Sequence, residues 1–86
     1  MVRLLIADDH AIVREGLKRI ISEAGDMRVE GEAADGTEVM KRVRELEFDI
    51  LVLDLSMPGR SGMELIRLVR AEKPKLRILV LSMHQE

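Results

Sequence analysis

DILVLDLSMPGRSG, residues 49–62, decides the fold. Four consecutive branched apolar residues, Ile50-Leu51-Val52-Leu53, run into Asp54 and then into a loop rich in Pro, Gly and Ser. A run this short and apolar throughout reads as a strand, Asp49 to Leu53, buried on both faces of a sheet, with Asp54 at its carboxyl end. Upstream, VRLLIADDH (residues 2–10) repeats the design: a branched apolar run from Val2 to Ala7, then Asp8 and Asp9.

Helical spacing separates the two strands. From Ala11 to Ala24, Ile12, Gly16, Leu17, Ile20, Ile21 and Ala24 form one stripe while Arg14, Glu15, Lys18, Arg19 and Glu23 fill the other side, and Gly25 ends the helix. Arg28 to Ala33 alternates polar and apolar residues, a pattern suited to an edge strand whose carboxylates Glu30 and Glu32 discourage pairing with other chains. Asp35-Gly36-Thr37 is turn and cap chemistry before a second helix with Val39, Val43 and Leu46 turned inward. Beyond the Ser56–Gly62 loop, Met63 to about Glu72 reads as a third helix carrying Leu65, Ile66, Leu68 and Val69, closed by Pro74, and Leu76–Leu81 as a fourth strand.

The order is therefore β-α-β-α-β-α-β, an α/β chain whose parallel strands are joined by right-handed crossovers with helices on both faces. An edge-type second strand beside three apolar ones gives the spatial order 2-1-3-4. Ligands of such sheets bind beyond the carboxyl ends of the strands where the connection reverses, here between strands one and three. Asp8, Asp9 and Asp54 meet at that place on strands about 4.8 Å apart. Each alone has a plainer reading, a helix cap for Asp8 or Asp9 and a turn for Asp54. Together they form an uncompensated acidic triplet that a hard divalent cation would relieve. Carboxylate oxygens, a loop carbonyl and water suit Mg²⁺, whereas two separated histidines without cysteine make a poor zinc site. His10 reads as an exposed first-turn residue, His84 as a residue near the chain end, and Met57, Met63 and Met83 as packing residues.

Composition excludes several classes. The chain has 86 residues, one domain's worth, with 14 basic against 16 acidic residues and a net charge of −2. That balance carries no electrostatic footprint for nucleic acid or an anionic membrane. Zero cysteines exclude a disulfide framework and fit a reducing cytoplasm. The apolar start is too short for a signal peptide, and with Phe48 as the one aromatic residue, base stacking is excluded. No Gly-rich phosphate loop follows the first strand, which argues against nucleotide binding.

The segments LLIADDH and ILVLDLSMPGRSG, with the strand RILVLSMH after a Pro-bounded helix, resemble the receiver domain of bacterial two-component response regulators. Asp-Asp-His followed by Ile12-Val13-Arg14-Glu15-Gly16-Leu17 is similar to the NarL/FixJ (LuxR-type) branch, whose members usually carry a helix-turn-helix after the receiver. The resemblance implies a three-layer α-β-α flavodoxin-like fold. It implies that Asp54 is the phosphoacceptor, taking a phosphoryl group from a histidine of a sensor histidine kinase. Asp9, Asp54 and the Ser56 backbone carbonyl would hold Mg²⁺ or Mn²⁺ directly, Asp8 would act mainly through water, and Ser82 would be the switch hydroxyl. Pro58 and Gly59 or Gly62 would set the loop, a glycine through positive φ. The output would be a downstream, DNA-binding regulator of transcription in the cytoplasm, with no nucleic acid or membrane bound through this chain. The module is a phosphoacceptor and not a turnover enzyme, performing at most self-catalysed phosphotransfer and autodephosphorylation. An alternative is a pseudo-receiver that keeps fold and metal pocket but serves only as an assembly fragment. An aspartyl-nucleophile phosphatase is disfavoured, because such enzymes have Asp-x-Asp where this chain has adjacent aspartates.

The resemblance covers all 86 residues but about two-thirds of a receiver of typical length, so the fourth helix, fifth strand and fifth helix, with the fifth strand's lysine, are expected to be lacking. Ile78-Leu79-Val80-Leu81 has the pattern of an interior strand, yet it would be the last one. A four-stranded sheet is about 19 Å wide and one helix about 10 Å across, so half of the face under the first helix would stay bare. Such a patch invites association, through a homo-oligomer or a domain-swapped copy over the fourth strand. The expected outcome in sedimentation velocity is self-association of the 86-residue chain; a monodisperse monomer of high thermal stability overturns this expectation.

Overall fold

In the computed structural model, which describes residues 1–57 and 61–81, the strands alternate with helices throughout: β1 (Val2–Ala7), α1 (Ala11–Ala24), β2 (Met27–Ala33), α2 (Gly36–Glu45), β3 (Ile50–Asp54), α3 (Gly62–Glu72) and β4 (Arg77–Leu81). All pairings are parallel and the sheet order is β2-β1-β3-β4, as the edge character of β2 required.

Alternation along the central strands divides the core in two. Leu5 and Ala7 of β1 and Leu51 and Leu53 of β3 point to one face, where they pack with Val39, Met40 and Val43 of α2 and Leu65 and Val69 of α3. Leu4 and Ile6 point the other way, onto Ile21 and Leu17 of α1. The three layers follow from this two-sided burial. β4 lies beside β3 with Val52 opposite Leu79 and Leu53 opposite Val80. Leu79 and Val80 remain 56% and 39% exposed, so apolar surface is left along this strand among the described residues.

Capping fixes the helix ends. Gly25 adopts φ 85° after α1, a left-handed conformation that favours glycine. Asp35 accepts from the Glu38 backbone N–H at 2.8 Å while Glu38 Oε1 accepts from the Ala34 N–H at 2.7 Å, a reciprocal arrangement that starts α2. Ser61 accepts from the Glu64 N–H at 3.1 Å and starts α3. At the amino ends of the strands, Arg3 N–H donates to Asp49 Oδ2 and Asp49 N–H donates to the Arg3 carbonyl, both at 2.8 Å, and this clasp fixes the register of β1 against β3.

Several expectations need correction. Asp49 precedes β3, because its side chain is taken up by Arg3. In α1 the inward residues are Ile21 and, partly, Leu17, whereas Ile12 and Ile20 are 87% and 64% exposed, since α1 covers only the β1–β2 side of its face. Met57 is buried as expected, but Met63 faces solvent in the first turn of α3. Gly62 is not a positive-φ loop residue; it opens α3, where a Cβ would collide with the Leu55 side chain. Pro58, Gly59, Met83 and His84 lie outside the described residues.

The edge of β2 is guarded by charge and by an irregularity. Register shifts between Leu4 and Leu5, so that Leu4 pairs with Val29 but Leu5 with Gly31, which leaves Glu30 as an extra residue. Glu32, on the same strand, accepts from Lys18 Nζ at 2.9 Å and from Arg14 Nε at 3.0 Å. The Lys18 hydrogen bond, with Arg14 behind it, holds the Glu32 carboxyl below its ordinary range against the opposing effect of burial. A depressed folded-state value contributes stability that is present above the unfolded value, about 4.3, and is lost as pH falls through the folded value.

Two outcomes follow for urea unfolding. The stability difference between the native chain and Glu32→Gln is expected to be largest near neutrality and to shrink as pH drops below about 4; a difference constant with pH contradicts the linkage. Leu51→Ala, removing a fully buried side chain between β3 and the α2–α3 layer, is expected to cost about 2–5 kcal/mol.

Candidate metal and phosphoryl site

The carboxyl ends of β1 and β3 are neighbours because Ala7 pairs with Leu53. The next residue after each is an aspartate, and both Asp8 and Asp54 are almost wholly buried, at 1% and 2% exposure. Asp9, one residue on, is partly exposed, and His10 is exposed at the start of α1. A carboxylate oxygen from each of Asp8, Asp9 and Asp54 and a ring nitrogen of His10 all lie within 4.8 Å of one another.

Each carboxylate is held differently. Asp8 Oδ1 accepts from the His10 backbone N–H at 2.8 Å and lies 3.3 Å from His10 Nδ1. The Asp8 backbone is fixed on both sides: its N–H donates to the Ala33 carbonyl at 3.0 Å, and its own carbonyl accepts from Arg14 Nη1 at 2.6 Å. Asp9 Oδ1 lies 3.0 Å from His10 Nδ1. Asp54 Oδ1 accepts from the Ser56 N–H at 2.9 Å and from Ser56 Oγ at 2.7 Å. Its second oxygen, Oδ2, is buried and has no hydrogen-bond partner among the described residues.

Charge compensation is incomplete. No Lys or Arg forms an ion pair with Asp8, Asp9 or Asp54 among the described residues; Arg14, the basic side chain bonded to Asp8, spends its charge on a carbonyl and on Glu32. A buried carboxylate oxygen left without a donor carries a desolvation cost of several kcal/mol unless a cation or donor meets it. The donor set consists of hard carboxylate oxygens within a few ångströms of each other, which fits a divalent cation that prefers oxygen. A cavity of about 550 Å³ bordered by Lys18, Ile21 and Met27 lies elsewhere, without this concentration of charge.

The sequence-derived site residues therefore divide. Asp8, Asp9 and Asp54 come together. The cap reading of Asp8 and Asp9 gives way, since His10 occupies the cap position of α1 and supplies no side-chain cap. Ser56 stands two residues after Asp54 and is exposed, and Ser82 lies outside the described residues. One residue and one role were missed: Arg14 was not singled out, and Ser56, expected to offer its backbone carbonyl, also holds Asp54. Ser56 braces Asp54 through its hydroxyl and amide, a habit legible in the Asp-x-Ser spacing of 54–56. Arg14 read as one of several solvent-facing charges on α1, and nothing in the helical pattern singles it out as the support of Asp8.

Comparison with known proteins places this geometry. The chain is 34% identical to the response regulator GacA of Pseudomonas viridiflava over 100% of its own length, and 41% identical to the oxygen regulatory protein NreC of Staphylococcus aureus over 99%. It spans about 40% of the length of these curated relatives. Among solved structures it superposes on RcsB from Salmonella enterica serovar Typhimurium, bound to promoter rprA in the presence of the phosphomimetic BeF₃⁻. The TM-score is 0.92 at 34% identity, covering 100% of this chain and 72% of that one. A LuxR-family two-component response regulator from Aurantimonas sp. SI85-9A1 gives a TM-score of 0.92 at 42% identity, covering 99% of this chain and 61% of that one. No described helix is long and apolar enough to cross a membrane. With residues 4–86 matching the response regulator receiver domain and with relatives of the NarL/LuxR type, the chain belongs to the receiver domain family of two-component response regulators.

Proposed function

We propose that this chain is the phosphoacceptor module of a cytoplasmic signalling protein, receiving a phosphoryl group on Asp54 from a histidine of a sensor kinase. The observation that carries the reading is the buried Asp54 carboxylate, one oxygen braced by Ser56 and the other without a partner among the described residues, beside two further carboxylates. Receiver domains are generally not enzymes, and no turnover chemistry is required of this one. The relative RcsB was solved with a phosphomimetic and on promoter DNA, which supports a phosphorylation-dependent, DNA-binding output for a protein containing this module.

The roles proposed for these residues are those the receiver family implies, and the bracing of Asp54 by Ser56 supports them. Ser56 holds the Asp54 carboxylate through Oδ1, and the carboxylate is the nucleophile: one of its oxygens forms an O–P bond as the P–N bond to the donor histidine breaks and the electron pair stays on the histidine nitrogen. Asp9 and Asp54 would hold the metal directly with the Ser56 backbone carbonyl, and Asp8 would act through water. Bound Mg²⁺ or Mn²⁺ supplies the positive charge that offsets repulsion between carboxylate and phosphoryl oxygens. Arg14 positions Asp8 through its carbonyl without neutralising the carboxylate. Ser82, outside the described residues, is the proposed hydroxyl that bonds a phosphoryl oxygen.

Binding to the folded state alone should stabilise the chain by roughly 1.4 kcal/mol at Mg²⁺ tenfold above its dissociation constant. Chemical denaturation with and without Mg²⁺ is expected to show this gain in the native chain and none in Asp9→Asn; the absence of any gain in the native chain contradicts the metal reading. Incubation with acetyl phosphate and Mg²⁺, followed by intact-mass analysis, is expected to give one phosphate adduct on the native chain and none on Asp54→Asn. An adduct on both would move the acceptor to another residue.

A further inference from the structure

His10 was expected to be a mere surface residue, and its exposure fits that expectation. Its ring does not. Nδ1 lies 3.0 Å from Asp9 Oδ1 and 3.3 Å from Asp8 Oδ1, so the nitrogen faces the space between two carboxylates where positive charge is wanted. The His10 backbone N–H is bound to Asp8 Oδ1 as well, and the residue caps α1. The ring nitrogen and one oxygen from each of three aspartates fall within 4.8 Å of one another. Opposed ligands of a first-row divalent ion, with bonds of about 2.1 Å, stand about 4.2 Å apart, so a small contraction of the cluster suffices. The buried Oδ2 of Asp54, without a partner among the described residues, is an independent sign that the cluster awaits a ligand.

We infer that His10 makes this a mixed nitrogen–oxygen site that prefers late first-row divalent ions, such as Ni²⁺ and Zn²⁺, over Mg²⁺. The inference rests on the metal reading above and concerns which ion the pocket selects. Mg²⁺ takes oxygen and water and gains little from imidazole, whereas affinity for imidazole rises steeply toward the end of the first transition series. The unfavourable zinc reading from the sequence considered two distant histidines; the relevant set is one histidine with the carboxylates of Asp9 and Asp54, Asp8 standing behind them. Both kinds of ion need the same aspartate oxygens, so a late transition ion held through His10 excludes Mg²⁺ and blocks the acceptor site by competition.

Calorimetric titration of the full 86-residue chain with Ni²⁺ and with Mg²⁺ tests this, using the native protein, His10→Ala, His10→Asn and Asp54→Asn, each checked for folding by circular dichroism. The ratio of Ni²⁺ to Mg²⁺ affinity is expected to fall about tenfold or more in both His10 variants, in the range typical for loss of a metal-supporting group. Asp54→Asn should weaken both ions. Pulsed EPR of the Cu²⁺-loaded chain is expected to show imidazole nitrogen coupling that disappears in His10→Ala. An unchanged ratio in both His10 variants, or nitrogen coupling that survives His10→Ala, overturns the inference. Failure of the native chain to bind Mg²⁺ at all, with Ni²⁺ still bound through His10, would instead overturn the magnesium reading and leave the His10 assignment standing.

Discussion

Everything in this molecule is arranged around unpaired negative charge held at the meeting point of two parallel strands. Burying a carboxylate is costly unless it is paired, and here Asp8 and Asp54 are both buried without a Lys or Arg partner among the described residues. The surrounding structure withholds neutralisation while still satisfying most hydrogen bonds. Arg14 reaches Asp8, but its guanidinium is directed to the Asp8 carbonyl and to Glu32. Ser56 satisfies one oxygen of Asp54 with neutral donors and leaves the other. The fold thereby keeps the pocket acidic, and the two core layers on either side of the sheet supply the stability that such a concentration of charge removes.

Much of this was legible in the chain because strand burial and strand position leave distinct marks. Leu51, Val52 and Leu53 are apolar in succession because β3 is covered on both faces, whereas Arg28, Glu30 and Glu32 interrupt β2 because it is an edge. That contrast suggests the order β2-β1-β3-β4, which brings the three aspartates together, although β4 is an edge strand that carries the apolar pattern of an interior one. Helix interiors were less legible. Ile12 and Ile20 follow the same helical spacing as Leu17 and Ile21, but the sheet lies under only part of α1, and residue type does not record which apolar side chains receive a partner. Met63 failed for a related reason, since the buried positions of α3 are Leu65 and Val69 and Met63 lies outside them.

The support of the site was the least visible part. A side chain that bonds a backbone carbonyl, as Arg14 does, needs only length and a donor, so it resembles any other charge on a solvated helix face. Gly62 misled in the opposite direction. Its identity records a close approach to Leu55, not a left-handed turn, and both requirements select the same residue. Where a residue type answers one physical demand, as Gly25 does at the end of α1, its role is readable; where it answers two, coordinates are needed to choose.

The clasp between Arg3 and Asp49 sits at the end of β1 and β3 remote from the acidic cluster, and it joins the strands by backbone as well as side chain. A one-residue slip would send every leucine of either strand to the wrong layer, so sliding is not an available response to events at the other end. The central strands thus behave as a fixed anvil. A change of charge at their carboxyl tips therefore meets strands already locked together at the opposite end.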